Sequence, residues 1–318
     1  MLADMATTIE DLGRARWRGS PGRVEVWYAT LSSADGTGYW IHHETVAPSL
    51  GHGDPYRHGW AAVFPVDGSP ELVRFGPEPV GADTGEAWFS CGPVEVRPGH
   101  LNGSAGNMSW ELSYIDNSPP LYTFPRLAWE RELLPGAQIV PWPSARFSGT
   151  VRLGGHERSV EARGAVARIY GHANAERWCW LHADLGGEDV LEIVSAVPRR
   201  AGLRRLPPVA MVALRRAGQR DWPPKPVLGV GRFRTRISDG RFDVMGRVGR
   251  RRLRVEVSLP AERCVALTYA DPDGSTATCT NTERADTQIA IERWRKRWNE
   301  EQRWSLTGTA HAEIGVRP

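Results

Sequence analysis

Short runs of alternating apolar and polar residues recur about every 8 to 15 positions along the chain, separated by clusters of Gly, Pro, Asn and Asp. In the first half these runs are Arg23 to Leu31, Gly38 to Val46, Gly59 to Phe64, Met108 to Ile115 and Phe147 to Leu153. In the second they are Arg177 to Asp184, Val190 to Val197, Val209 to Arg215 and Arg252 to Leu259. Val, Ile, Trp, Tyr and Thr dominate them, so the pattern predicts antiparallel strands with a two-residue side-chain period. Long helices have little room among 34 glycines and 24 prolines. The stretch Ala285 to Trp304 allows two readings. Ile291, Trp294 and Trp298 fall at helical spacing, whereas Thr287, Ile289 and Ile291 alternate and Asn299-Glu300-Glu301 offers a turn between two strands, the favoured reading. Met1 to Arg14 reads as a short helix or a loose arm.

A chain of 318 residues exceeds what one hydrophobic core usually serves, which predicts two units of about 150 residues. The pattern breaks between Leu134 and Ser144, where Pro135, Pro141 and Pro143 favour an extended crossing. The expected units are residues 1–140 and 141–318, each with roughly eight strands. An all-β protein with two antiparallel barrels in tandem follows.

Composition adds exclusions. Hydrophobic residues at 41% and charged residues at 24% suit a packed globular chain and argue against bulk disorder. The formal charge is +3, and with only Lys225 and Lys296 as lysines nearly all positive charge is arginine, as a GC-rich genome gives without selection for binding. Arginines cluster at Arg199, Arg200, Arg204, Arg205, Arg215 and Arg216, and again at Arg247, Arg250, Arg251, Arg252 and Arg254. Nucleic-acid binding is not expected from this, but an anionic ligand or surface stays open for that half. Cys91, Cys179, Cys264 and Cys279 form no CxxC and pair with no histidine at metal spacing, so no metal site is expected and buried thiols are the reading. The acidic start (Asp4, Glu10, Asp11) lacks a signal-peptide core, and no run approaches the roughly 20 apolar residues of a membrane helix. A cytoplasmic setting with no integral membrane segment is the expectation.

Two segments carry candidate chemistry. In Gly38 to Val46, alternation places Trp40, His42 and Glu44 on one face, with Tyr39, Ile41 and His43 on the other. The first face is aromatic and titratable together, fit to line a cavity or to lie as a solvated strand face. In Tyr170 to Asp184, the even positions His172, Asn174, Glu176, Trp178, Trp180, His182 and Asp184 share a face if the run is extended throughout. Two tryptophans beside acids and imidazoles make the mixed wall of a small-molecule pocket, although Trp in a barrel wall is often core. Asp271-Pro-Asp-Gly274 reads as the turn of a hairpin whose return strand could bring Asn281 to the pocket. Leu228-Gly-Val-Gly231 lacks the strand-to-helix context of a phosphate loop, and no Gly-x-Ser-x-Gly occurs.

Gly36-Thr-Gly-Tyr-Trp-Ile-His42, Tyr170-Gly-His172 with Arg177-Trp-Cys-Trp-Leu-His182, and Tyr269-Ala-Asp-Pro-Asp-Gly274 with Cys279-Thr-Asn-Thr282 together resemble the hydroxyneurosporene synthase-like, or carotenoid 1,2-hydratase and tocopherol cyclase-like, family. The resemblance runs from about Arg23 to Ile314. It implies two lipocalin-like (calycin) barrels with a ligand cavity in or between them, and an enzyme that hydrates, cyclises or isomerises a polyene or isoprenoid-like molecule without a cofactor. The Asp-His-x-Trp-Gly element of hydratase members is absent, leaving Glu176 and Asp184 as the nearby acids. On this expectation Glu176, Asp184, His172 and His182 act in proton transfer, while Trp40, His42, Glu44, Asn174, Trp178, Trp180 and Asn281 hold the substrate. The rival is a lipocalin-like carrier of a lipid or pigment, which needs only apolar burial.

Overall fold

The structure is a computed structural model that describes residues 8–81, 86–199, 202 and 204–317. The alternating runs form strands, and pairing of neighbours in sequence builds two sheets. The first contains β1 (Arg23–Ser33), β2 (Gly38–Ala47), β3 (Tyr56–Phe64), β4 (Glu71–Pro79), β5 (Phe89–Cys91), β6 (Val94–Arg97), β7 (His100–Ala105), β8 (Met108–Ile115), β9 (Leu121–Tyr122), β10 (Gly136–Leu153) and β11 (His156–Gly171). Its order is β4-β3-β2-β1-β11-β10-β8-β7-β6-β5, with β9 alongside β10. The second contains β12 (Arg177–Gly186), β13 (Asp189–Val197), β14 (Val209–Arg215), β15 (Phe233–Ser238), β16 (Arg241–Val248), β17 (Arg251–Ser258), β18 (Val265–Ala270), β19 (Thr276–Arg295) and β20 (Arg297–Val316). It runs β14-β13-β12-β20-β19-β17-β16-β15, with β18 alongside β19. In each sheet the two ends approach one another, β4 against β5 and β14 against β15, so both are nearly closed antiparallel barrels.

Each barrel has an apolar core. Trp27, Leu31, Ile41, Phe89, Trp110, Trp142 and Phe147 pack inside the first. Leu181, Ile193, Val212, Phe242, Leu253, Val255 and Ile289 do so in the second. Burying such side chains stabilises each barrel by about 25 cal/mol per Å² of apolar surface. A short helix, α1 (Ile9–Gly13), is held by a capping box between Thr8 and Asp11. It lies on the first barrel, where the Trp27 indole donates to the Gly13 carbonyl at 2.7 Å and Arg168 donates to that of Leu12 at 3.0 Å. Residues 1–7 of the expected arm, and Arg200 of the first arginine cluster, lie outside the described residues.

Three expectations change. Pro141 and Pro143 do not carry the chain between barrels: they lie within β10, and the 140/141 boundary falls inside a single strand of the first sheet. The pairing of β10 with β11 shifts register between Ile139 and Trp142 and again between Trp142 and Ala145, the irregularity at which a residue without an N–H is tolerated. The chain passes from one sheet to the other at residues 172–176. Tyr170 to Asp184 is therefore not extended throughout. Finally, Ala285 to Trp304 forms strands, as favoured, but the hairpin turns at Lys296 between paired Arg295 and Arg297 rather than at Asn299 to Glu301.

Candidate functional site

The period-two alternation of β1, β2 and β12 decides which side chains face inward. Trp27, Ala29, Leu31, Tyr39 and Ile41 point into the first barrel, and Cys179, Leu181 and Ala183 into the second. The opposite faces meet each other. Trp40, Trp60 and Phe64 pack with Trp178, Leu267, Tyr269 and Cys279, while Val26 and Tyr28 pack with Trp180 and Val190. The aromatic faces thus look into the seam between the barrels, the second of the two places expected for a cavity, while the barrel interiors hold apolar cores.

The first part of the seam is an aromatic wall with two carboxyls. Trp40 and Trp60 stack at 6.5 Å, Tyr269 stands edge-on to Trp60 at 5.3 Å, and Trp178 lies 6.4 Å from Tyr269. The Trp178 Nε1 donates to Glu313 Oε1 at 2.7 Å, and the Cys279 thiol lies 3.6 Å from Glu313 Oε2. On the other barrel, Glu44 Oε2 sits 3.3 Å from His42 Nε2 and 3.7 Å from His58 Nε2. Burial removes the solvent that would stabilise charge, so it pushes Glu44 and Glu313 above the usual carboxyl range and drives His42 down to about 3. Tyr269, between the two carboxyls, is raised by burial and then by nearby Cys279 and Glu313, with Glu44 adding to this.

The second part is a buried polar chain. Glu192 accepts from Gln138 at 2.5 Å and from the Trp180 indole at 2.6 Å, and its other oxygen lies 2.9 Å from His182 Nδ1. The Gln138 amide also donates to the Tyr28 hydroxyl at 2.8 Å. The His182 ring lies 5.7 Å from that of His311, whose Nδ1 is 2.5 Å from Glu283 Oε2. Glu283 accepts in turn from Thr30 of the first barrel. His182 Nε2, His311 Nε2 and Glu283 Oε1 are buried with no protein partner among the described residues.

The structure brings Trp40, His42, Glu44, Trp178, Trp180, His182 and Asn281 to this seam, the last opposite Glu313 in the β19–β20 pairing. It leaves four expected residues outside. His172 is exposed and bonds the Gly22 carbonyl, because the strand has already ended. Asn174 ties the crossing segment to Asp271. Glu176 is paired with Arg204 at the rim, and Asp184 is held by Arg163 at 2.6 Å while accepting from the Gly186 N–H. Glu313, Glu192, Glu283, His311, Trp60 and Tyr269 are members that sequence reasoning missed. For Glu192, His311 and Glu313 the signal was a lone acid or imidazole in an apolar alternation, as in Val190-Leu-Glu192-Ile-Val194 and Ala310-His-Ala-Glu313-Ile. No group of three or more His, Cys, Asp or Glu among the described residues is arranged to hold a metal ion.

Residues 92–316 match the family described as tocopherol cyclase-like. The chain belongs to the tocopherol cyclase-like family. An uncharacterized protein of Mycobacterium tuberculosis, recorded in two strains, is 50% identical over 304 residues, covering 95% of this chain and 89% of its own. Among solved structures, CghA with Sch210972 shares 11% identity at a TM-score of 0.61, covering 93% of this chain and 88% of that one. Kievitone hydratase from Nectria haematococca shares 11% identity at a TM-score of 0.55, covering 96% and 92%. At such identity these two establish that this tocopherol cyclase-like chain has their two-barrel fold, and no more.

Proposed function

We propose that this protein is a cyclase or hydratase of a hydrophobic, polyene or isoprenoid-like small molecule, and that the reaction takes place at the seam. One observation carries the reading: Glu44, buried, and Glu313, half-buried, lie among Trp178, Trp40, Trp60 and Tyr269, with desolvation favouring the protonated carboxyl at both. Proton-initiated addition to an alkene needs that combination, an acid out of water beside π faces that stabilise positive charge. A substrate entering here would replace ring contacts that the barrels make with each other.

In the proposed step the Glu313 carboxyl gives its proton to one alkene carbon, and the π electrons form the new C–H bond. The neighbouring carbon becomes cationic against Trp178 and Tyr269. Water or an internal nucleophile closes on that carbon, and the proton it sheds returns to the carboxylate, so no electrons are lost or gained. The free nitrogens of His182 and His311 orient a hydroxyl of the substrate or the attacking water. The barrel interiors hold apolar cores, so a carrier, like an enzyme, would have to take its ligand at the seam, and it is the acids there that favour a reaction over carriage. Four free thiols support the cytoplasmic setting that belongs to this proposal.

The test is turnover of a panel of isoprenoids and polyenes. Glu313→Gln is expected to lower kcat by about a hundredfold or more, as loss of a general acid does. Glu176→Gln with Asp184→Asn is expected to leave kcat within about twofold, since neither acid reaches the wall. Full activity in a Glu44→Gln, Glu313→Gln double variant would end the acid mechanism.

A further inference from the structure

At one end of the second barrel, away from the groups used above, cations and apolar side chains stand exposed together. The β16–β17 turn, the β19–β20 turn and the short 3-10 segment Pro226–Gly229 border two neighbouring hollows. One, of about 610 Å³, is lined by Trp222, Leu228 and Val248 with Arg232, Arg250 and Arg251 among its cations. The other, about 250 Å³, lies between Arg247, Arg250, Trp294 and Trp298. A backbone bond from Trp294 to the Arg250 carbonyl, 2.8 Å, ties the two turns together.

The cations here are free to meet a partner. Arg251 and Arg252 are committed to Glu301 and Glu292, but among the described residues Arg232, Arg247, Arg250, Arg295, Lys296 and Arg297 have no ion-pair partner. Lys296 occupies the hairpin tip at φ 63, where Gly or Asn would sit with less strain, and Arg295 and Arg297 flank it at the ends of the two strands, so three consecutive cations are presented there. Between them stand Val227 at 54%, Leu228 at 43%, Val230 at 46% and Trp294 at 44% exposure.

We propose that this end of the second barrel docks on the surface of an anionic lipid bilayer. Phosphate headgroups would neutralise the unpaired cations, while Trp294, Leu228 and the flanking valines enter the headgroup and acyl boundary. Charge alone would also suit a nucleic acid, but protruding aliphatic side chains gain nothing from a polyphosphate and gain burial from lipid. The proposal is independent of the reaction assigned to the seam.

The experiment is co-sedimentation of the full chain with vesicles of phosphatidylcholine alone, or with about one third phosphatidylglycerol, across a salt series, with random-sequence duplex DNA as a competing probe. Binding to the anionic vesicles and not to the neutral ones is expected. Arg295→Gln, Lys296→Gln and Arg297→Gln together should weaken it about a hundredfold, and Lys296→Gln alone, which serves if the triple variant fails to fold, about fivefold. Trp294→Ser with Leu228→Ser should weaken it as well, with the melting temperature of wild type retained. No binding to anionic vesicles would overturn the proposal. So would wild-type vesicle binding by the Trp294→Ser, Leu228→Ser variant, or tighter binding to the duplex than to the vesicles, because either would leave only a site for polyanions.

Discussion

His43 shows most simply what burial does to one residue here. It points into the first barrel between Phe75 and Phe89, with Nδ1 3.3 Å from the Trp27 carbonyl, and burial lowers it from 6.5 to about 3. Below pH 6.5 the unfolded chain takes up a proton that the fold refuses, so stability falls as pH drops from 6.5 toward 3. Buried His42 acts in the same direction, and Glu44 and Glu313, raised above 4.5, act oppositely as pH rises past 4.5. Comparing variants isolates one group. His43→Gln is expected to flatten the decline in urea-unfolding free energy between pH 7 and 5 by about 2 kcal/mol, and an unchanged slope would show that His43 is not held neutral. Gly315 tests the Glu313 contact from the other side. A Cβ there would stand 2.0 Å from the Trp178 ring. Gly315→Ala should therefore displace the indole, cost about 1–3 kcal/mol in thermal unfolding, and remove the hydrogen bond to Glu313.

The barrels meet through a few elements brought very close. At the start of β2, a Cβ on Gly38 would stand 2.6 Å from the Glu283 Cβ, beside the register shifts of β19 between Thr282 and Ala285. Gly38→Ala is expected to wedge β2 from β19, lower stability by about 1–3 kcal/mol and red-shift the tryptophan emission of the seam; wild-type emission and melting would contradict this contact. Alternation in Gly38 to Val46 and Arg177 to Asp184 was legible because a strand's period of two needs no knowledge of its neighbours. Register was not. His182 meets both Glu192 and His311 only because β12 lies between β13 and β20, and the pairing of β12 with β20, far apart in the chain, leaves no local trace. The same limit hid the barrel boundary. Prolines in β10 look like a linker unless the strands beside them are known, and the real crossing at residues 172–176 breaks a run whose composition suggested one strand.

At the scale of the molecule, two barrels with apolar cores share a seam in which aromatic surface coincides with the buried acids Glu44, Glu192 and Glu283. The fold itself was legible in the sequence because glycine and proline punctuation and strand alternation repeat through both halves. The placement of the acids was not, since a carboxyl on a strand face is solvated or buried according to what packs on it. The cluster of cations without ion-pair partners on the second barrel, among the described residues, is a local feature that the net charge of +3 does not show. The claim on which the reaction rests is that a seam carboxyl keeps its proton beyond the ordinary carboxyl range. Infrared pH titration of the purified protein measures it through the C=O stretch of a protonated acid. The wild type should retain that band at higher pH than an ordinary carboxyl does, with a loss in Glu313→Gln and a further loss when Glu44→Gln is added. A band that disappears at ordinary carboxyl pH, or that survives both substitutions undiminished, would contradict the account.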